Sequence, residues 1–136
     1  MKKRRDMKIL WQSNSPSANS GYSVFTRDLL FRLLKDGWHI ECSSMGAGVD
    51  AYPVIMYGED LIDDRFKGLK LKIYPKMYEP YGSDSLVAHG IESKANVIFT
   101  MQDIWPLQSA ELRKLRVWIP YLPVDKYPAP QNILNN

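Results

Sequence analysis

The stretch that decides the fold begins with the apolar segment Lys8-Ile9-Leu10-Trp11. A loop of small and polar residues follows it, Gln12-Ser13-Asn14-Ser15-Pro16-Ser17-Ala18-Asn19-Ser20-Gly21-Tyr22. Apolar residues at helical spacing then run from Val24 to Lys35, and this segment stops at Asp36-Gly37. A second short apolar run comes next, Trp38-His39-Ile40-Glu41-Cys42. Strand, loop, helix and strand in this order predict a βαβ unit.

The boundaries of this unit follow from local signals. We expect a strand from Met7 to Ser13 and a second strand from Trp38 to Ser44. The helix between them is expected from about Ser23, capped by Asn19 or Ser20. Gly37 is expected to adopt the left-handed conformation that ends the helix. The apolar side of this helix is expected to carry Phe25, Leu29, Leu30, Leu33 and Leu34.

The rest of the chain continues the alternation of strands and helices. Further strands are expected at 51–57, 69–75, 96–101 and 117–121. Helices are expected from a cap at Ser83 to about Lys94 and at 109–115. The segments 51–57 and 69–75 form an insertion and pair antiparallel; the second alternates with lysine, which favours an edge strand. The fold class is therefore α/β, a Rossmann-like three-layer domain with a mostly parallel sheet.

Length, composition and charge limit the classes of function that this chain can have. The chain has 136 residues, 45% of them hydrophobic and 24% charged, which is typical of one globular domain. Four residues near the start, Lys2, Lys3, Arg4 and Arg5, supply more than the whole net charge of +3. We therefore expect a basic tail at 1–6 and no nucleic-acid interface. The domain proper is expected at 7–125, and 126–136 is proline-rich.

The single cysteine and the short apolar segments indicate the compartment. Cys42 excludes an internal disulfide and a cysteine-based metal site. The apolar run after the basic start is too short for a secretory signal, and no segment has the length of a membrane span. The expectation is a cytoplasmic protein without a membrane span.

Three loops are expected at one edge of the sheet, because the carboxyl ends of parallel strands converge there. The first holds Ser13, Asn14, Ser20, Gly21 and Tyr22; the second holds Asp103 and Trp105; the third holds Pro123, Val124 and Asp125. Polar side chains and two carboxylates at one edge predict a cleft for a hydroxylated or phosphorylated ligand. The alternative interpretation is that they are ordinary turn and capping residues.

Several chemistries are disfavoured because their motifs are absent from the sequence. It contains neither G-x-G-x-x-G nor G-x-x-x-x-G-K-[ST], which argues against a dinucleotide oxidoreductase and a P-loop enzyme. A nucleophile elbow G-x-S-x-G is also missing. His39 and His89 have no second histidine at ligand spacing, so no metal site is expected.

The ordered motifs resemble the retaining glycosyltransferases of family 4, especially a prokaryotic and phage branch. The likeness starts with Met7 to Pro16, Ala18 to Tyr22 and Thr26 to Leu30. It continues through a second set of motifs that runs in the same order, Tyr74 to Lys76, Pro80 to Asp84, Phe99-Thr100, Asp103 to Trp105, Trp118 to Tyr121 and Pro123 to Asp125. Each motif is weak alone, but together they span nearly the whole chain after Met7.

The resemblance implies the N-terminal half of a GT-B fold, in which two Rossmann-like domains face each other across a cleft. The N-terminal domain of such enzymes mainly binds the acceptor, and the C-terminal domain binds the nucleotide sugar, which is a substrate rather than a cofactor. By this resemblance Ser20, Gly21 and Tyr22 would lie near the donor phosphate and the transferred sugar. Asn14, Asp103, Trp105 and Asp125 would bind the acceptor side. No catalytic residue is assigned.

The resemblance also implies that the donor-binding domain lies beyond this sequence, with 126–136 beginning the connection to it. We would then expect the chain alone to bind nucleotide sugar weakly and to transfer little sugar. Its partners would be a nucleotide sugar, a glycan or other hydroxylated acceptor, and the second domain or a partner chain. An exposed half-cleft would favour a homodimer.

Two other hypotheses remain open. The chain is a non-catalytic glycan- or protein-binding module derived from the same fold, which an exposed apolar face near Leu122, Val124, Ile133 and Leu134 would support. Alternatively it is an unrelated Rossmann-like enzyme acting on a nucleotide or a phosphosugar. The third hypothesis needs a full ligand site within 136 residues, and the sequence does not supply one.

Overall fold

The computed structural model describes residues 6–45, 52–78, 82–102 and 117–121. The strands and helices in this part of the chain are β1 Lys8–Asn14, α1 Gly21–Lys35, β2 His39–Met45, β3 Val54–Tyr57, α2 Gly58–Leu61, β4 Lys70–Tyr74, α3 Ser83–Glu92, β5 Val97–Met101 and β6 Val117–Tyr121. A 3₁₀ turn, Asp64–Phe66, precedes β4. The helix predicted at 109–115 and the predicted tails lie outside the described residues.

The described strands form one sheet in the order β3-β4-β2-β1-β5-β6. All neighbouring pairs are parallel except β3 and β4, which are antiparallel. The predicted α/β class with a mostly parallel sheet is therefore confirmed, and the fold is consistent with a Rossmann-like domain. The antiparallel pairing of the two inserted strands is confirmed as well.

Strand β1 lies in the middle of the sheet and supplies side chains to both faces. Ile9 and Trp11 pack on the face covered by α1, which we call the α1 face. Leu10 packs with Leu86 and Ile98 on the opposite face, the α3 face. Because successive strand residues point to opposite sides, one continuous apolar segment forms two cores, as parallel sheets require.

Helix α1 begins and ends at the predicted signals. The Ser20 hydroxyl accepts a hydrogen bond of 3.1 Å from the Ser23 backbone N–H, so Ser20 rather than Asn19 is the cap. Gly37 has a φ of 92°, the left-handed conformation in which glycine is least strained.

None of the helices in the described residues is both long enough and apolar enough to cross a membrane.

Two details differ from the sequence-based expectations. Strand β4 is not an edge strand, because β3 pairs along its outer side. Lys70 is exposed and Lys72 half-buried for another reason: both lie on the α3 face, whereas Leu71 and Ile73 are buried on the α1 face. The cap of α3 is Gly82 in the left-handed conformation, with no side-chain capping bond, and not Ser83.

The buried side of α1 also differs from the expected one. Leu30 and Phe31 are fully buried, whereas the Phe25 side chain is 43% exposed. The reason is the position of α1, which packs over β1, β2 and β4. Phe25 projects toward β6, where its ring stacks on Tyr121 with centroids 6.0 Å apart.

A network of polar side chains is buried beneath α3. The Glu41 carboxylate pairs with the Lys8 ammonium at 3.0 Å and accepts a 2.7 Å hydrogen bond from the Tyr74 hydroxyl. The Tyr74 ring stacks on His89, whose Nδ1 lies 2.7 Å from the Ser43 hydroxyl. Burial lowers the pKa of His89 to about 4, although the Asp84 carboxylate acts in the opposite direction.

We expect His89 to make the protein sensitive to mild acid. As the pH falls below the ordinary histidine value, the unfolded chain binds a proton that the folded protein still excludes. The free energy of unfolding should therefore fall by about 1–3 kcal/mol between pH 6.5 and pH 4. Denaturant titrations across this range would measure it.

The control uses the other histidine. His89→Gln should flatten this part of the pH profile, whereas His39→Gln should preserve it because His39 is exposed at the start of β2. The prediction would be contradicted if the free energy of unfolding changed equally with pH in the wild type and in His89→Gln.

Candidate functional site

The candidate site lies at the carboxyl edge of the sheet, where the chain changes direction across it. After β1 the chain builds β2 and β4 on one side, then crosses to β5 and β6 on the other. The point of reversal is between β1 and β5, and ligands of open α/β sheets bind in the crevice there. The starts of α1 and α3 lie at the same edge, because each helix follows a parallel strand.

The loop after β1 is held by hydrogen bonds among its own side chains. The Asn14 amide donates to the Ser20 hydroxyl at 3.1 Å, and this hydroxyl also caps α1. The Ser13 hydroxyl lies 2.8 Å from the Thr26 hydroxyl in a buried contact. The structure thus brings Asn14 and Ser20 together and gives both a structural role in shaping the loop.

Gly21 and Tyr22 form the open part of this loop. The first backbone N–H groups of a helix have no intrahelical acceptor. The Ser20 hydroxyl and carbonyl satisfy those of Ser23 and Val24, and the N–H groups of Gly21 and Tyr22 have no acceptor among residues 6–45, 52–78, 82–102 and 117–121. A Cβ on Gly21 would meet nothing within 4 Å, so this approach is clear. The Tyr22 ring is also exposed.

Sequence reasoning missed a cation beside the loop. The Arg27 guanidinium donates to the carbonyls of Pro16 at 3.2 Å and Ala18 at 3.3 Å. It therefore fixes the turn that carries Ser20 and Gly21. The signal available in the sequence was the position of Arg27, which follows the loop by one helical turn or more and can reach back to it.

A buried pair of amides joins the carboxyl ends of β1 and β5. The Gln102 amide donates to the Gln12 side-chain oxygen at 2.6 Å, and the Gln12 amide contacts the Met45 sulfur at 3.4 Å. Gly82, at the start of α3, lies against the same Gln12 amide. Sequence reasoning missed this pair, because ninety residues separate its members and glutamine has no diagnostic motif.

The remaining predicted site residues lie outside the described residues. They are Asp103, Trp105, Pro123, Val124 and Asp125. Asp103 directly follows Gln102 in the sequence. The contribution of these side chains stays a prediction.

The other titratable groups do not assemble a second reactive centre in the described part of the chain. No three histidine, cysteine, aspartate or glutamate side chains within it are grouped to hold a metal ion. Burial raises the pKa of the Cys42 thiol to about 12, so it stays protonated and is a packing residue. A cavity of about 340 Å³ beside Arg32, Lys35 and Phe66 lies near the end of α1, away from the crevice.

No protein-family model, curated protein or solved structure matches this chain. The resemblance to family-4 glycosyltransferases therefore rests on the ordered motifs of the sequence. The strand order at this edge and the contacts of Asn14 and Gln12 do not depend on that resemblance.

The two glycines at the helix starts should respond differently to substitution. Gly82 has a φ of 72°, and its Cβ would lie 3.1 Å from the Ser85 hydroxyl and 3.2 Å from the Gln12 amide. Gly82→Ala should therefore lower the free energy of unfolding by about 1–2 kcal/mol. Gly21→Val should change it by less than about 0.5 kcal/mol, because its Cβ enters open space.

Chemical denaturation of both variants tests this contrast. A loss in Gly21→Val as large as that in Gly82→Ala would make Gly21 a structural glycine and remove the case for an open ligand approach.

Proposed function

We propose that this chain is the acceptor-side domain of a retaining glycosyltransferase of the family-4 type. Such an enzyme moves a sugar from a nucleotide-sugar donor to a hydroxylated acceptor. The observation that carries the proposal is the reversal of the chain between β1 and β5, where the open start of α1 and the buried amide pair of Gln12 and Gln102 lie at one edge of the sheet. The ordered motifs give the proposal its substrate class.

Each proposed role follows from the chemistry of its group. The N–H groups of Gly21 and Tyr22 are donors at the positive end of a helix, which suits a phosphate or a sugar oxygen. Ser20 positions them through its capping bond. Asn14 is proposed to contact the acceptor together with Asp103, Trp105 and Asp125, since amides, carboxylates and an aromatic face suit a hydroxylated ring.

The described residues leave the donor diphosphate without a strong clamp. Arg27 contacts the loop, but its guanidinium is engaged with Pro16 and Ala18. Leaving-group charge in phosphoryl and glycosyl chemistry is commonly stabilised by arginine or lysine donors or by a metal ion. The proposal therefore assigns this task to a second domain or a partner chain. It also places the protein in the cytoplasm, which the lone, buried Cys42 supports.

An NMR titration with isotope-labelled protein tests the proposal. UDP-sugars, GDP-sugars and a small glycan panel should shift the amide signals of Asn14, Ser20, Gly21, Tyr22 and Gln102. We expect a dissociation constant of about 1 mM or weaker, because the diphosphate has no clamp here. Shifts confined to the cavity beside Arg32 and Lys35 would contradict the proposal, as would no shifts at all.

Substitution of Gly21 gives the matching control. Gly21→Val should weaken binding at least about tenfold, because a branched side chain blocks the helix start, while the fold is kept. Asn19→Val places a branched side chain on an exposed position of the same loop and should leave binding unchanged. Equal effects of the two variants would mean that the ligand binds elsewhere.

A separate observation supports a second candidate function. The exposed apolar residues Val117, Ile119 and Tyr121 of β6 favour a binding module that recognises a glycan or a protein. The same titration separates the two: shifts with glycans but with no nucleotide sugar would favour the module.

A further inference from the structure

A cavity of about 260 Å³ lies under α1, on the α1 face of the sheet. On the sheet side it is lined by Ile9 and Trp11 of β1 and by their register partners, Ile40 of β2 and Phe99 of β5. The cavity therefore spans the three central strands. We call it the α1 cavity.

The opposite side of the α1 cavity is formed by the helix and by the chain that enters β2. Leu29 and Leu33 of α1 line it together with Trp38, which directly precedes β2. These three side chains and Phe99 are only partly buried, so the cavity reaches solvent between them. A small molecule can therefore enter it without unfolding of α1.

The lining of the α1 cavity selects for neutral, apolar molecules. Each of its side chains is apolar or aromatic, and none carries a charge. A buried charge without a partner is costly, so a carboxylate, a phosphate or an ammonium group does not suit this site. An apolar cavity of roughly 150 Å³ is enough to bind benzene, and the α1 cavity is larger.

The lining also contains a buried donor that lacks an acceptor. The Trp11 side chain is 5% exposed, and its indole Nε1 makes no hydrogen bond in the described part of the chain. The Trp11 ring stacks on Phe99 with centroids 5.7 Å apart, which fixes the orientation of the indole. A buried donor that is left unpaired costs free energy, and an acceptor on a ligand would recover it.

Water is a poor acceptor for this N–H group. A buried water molecule is held by about two to four polar partners. The side chains that line the cavity offer only the indole N–H groups of Trp11 and Trp38. An acceptor atom carried by an apolar molecule fits better, because the rest of that molecule fills the apolar space.

We propose that the α1 cavity binds a small neutral molecule with an apolar body and one hydrogen-bond acceptor, such as a carbonyl oxygen, which accepts from the Trp11 indole N–H. Its body packs against the rings of Trp11, Trp38 and Phe99. This site is independent of the proposed function, since the cavity lies between α1 and the sheet and the candidate site lies at the carboxyl edge.

Three probes of similar size test the chemistry of the site. Acetophenone carries the acceptor, ethylbenzene lacks it, and benzoate adds a charge. In an NMR titration acetophenone should bind with a dissociation constant of about 1 mM or tighter. It should shift the amide signals of Leu29, Leu33 and Phe99 and move the Trp11 indole proton downfield. Benzoate should bind at least about tenfold more weakly, because the lining holds no cation.

The hydrogen bond itself is isolated by a comparison between two ligands and two proteins. The ratio of the ethylbenzene to the acetophenone dissociation constant should be at least about threefold lower in Trp11→Phe than in the wild type. Any general change of the cavity affects both ligands and cancels in this ratio. Trp38→Phe is the matched control and should preserve the ratio, because Trp38 is half-buried and already has an interaction partner.

Three results would overturn the proposal. The first is that neither acetophenone nor ethylbenzene shifts the signals of the cavity in the folded wild type. The second is that acetophenone saturates the cavity and leaves the Trp11 indole signal in place, which needs no variant to observe. The third is an equal ratio of dissociation constants in the wild type and Trp11→Phe.

Discussion

The structure depends on the position of β1 between two parallel neighbours. Its backbone pairs with β2 over its full length and with β5 from Ile9 to Gln12. Both edges of β1 are therefore satisfied, and the alternation of its side chains supplies apolar surface to two separate cores. The two neighbours of β1 come from different parts of the sequence, since β2 is the next strand and β5 comes much later. For this reason the chain reverses its direction across the sheet beside β1.

Both short-range and long-range hydrogen bonds shape the candidate site. The loop after β1 is ordered by short-range bonds, in which Asn14 and Ser20 use their side chains on each other. A long-range bond between Gln12 and Gln102 joins the carboxyl ends of β1 and β5. What stays open is mostly backbone: N–H groups at a helix start, beside a glycine without a side chain. Backbone N–H groups at the start of a helix can donate hydrogen bonds to oxygen atoms.

Much of the fold could be predicted from the sequence, since helical and strand periods are local properties. The βαβ unit, the cap at Ser20 and the left-handed Gly37 follow from short patterns. The neighbour of each strand does not, which is why β4 was expected at an edge although β3 covers it. Periodicity likewise assigned Phe25 to the apolar side of α1 but carried no information on what lies opposite. The Gln12 and Gln102 pair depends wholly on that missing information.

The pairing of β1 with β5 also has a consequence for synthesis on the ribosome. The two strands are separated by most of the chain, so β1 emerges long before its second partner exists. At 5–20 residues per second, roughly 5–20 s pass between the appearance of Trp11 and that of Phe99. During this interval the unit of β1, α1 and β2 has to persist with one strand edge and one apolar face open.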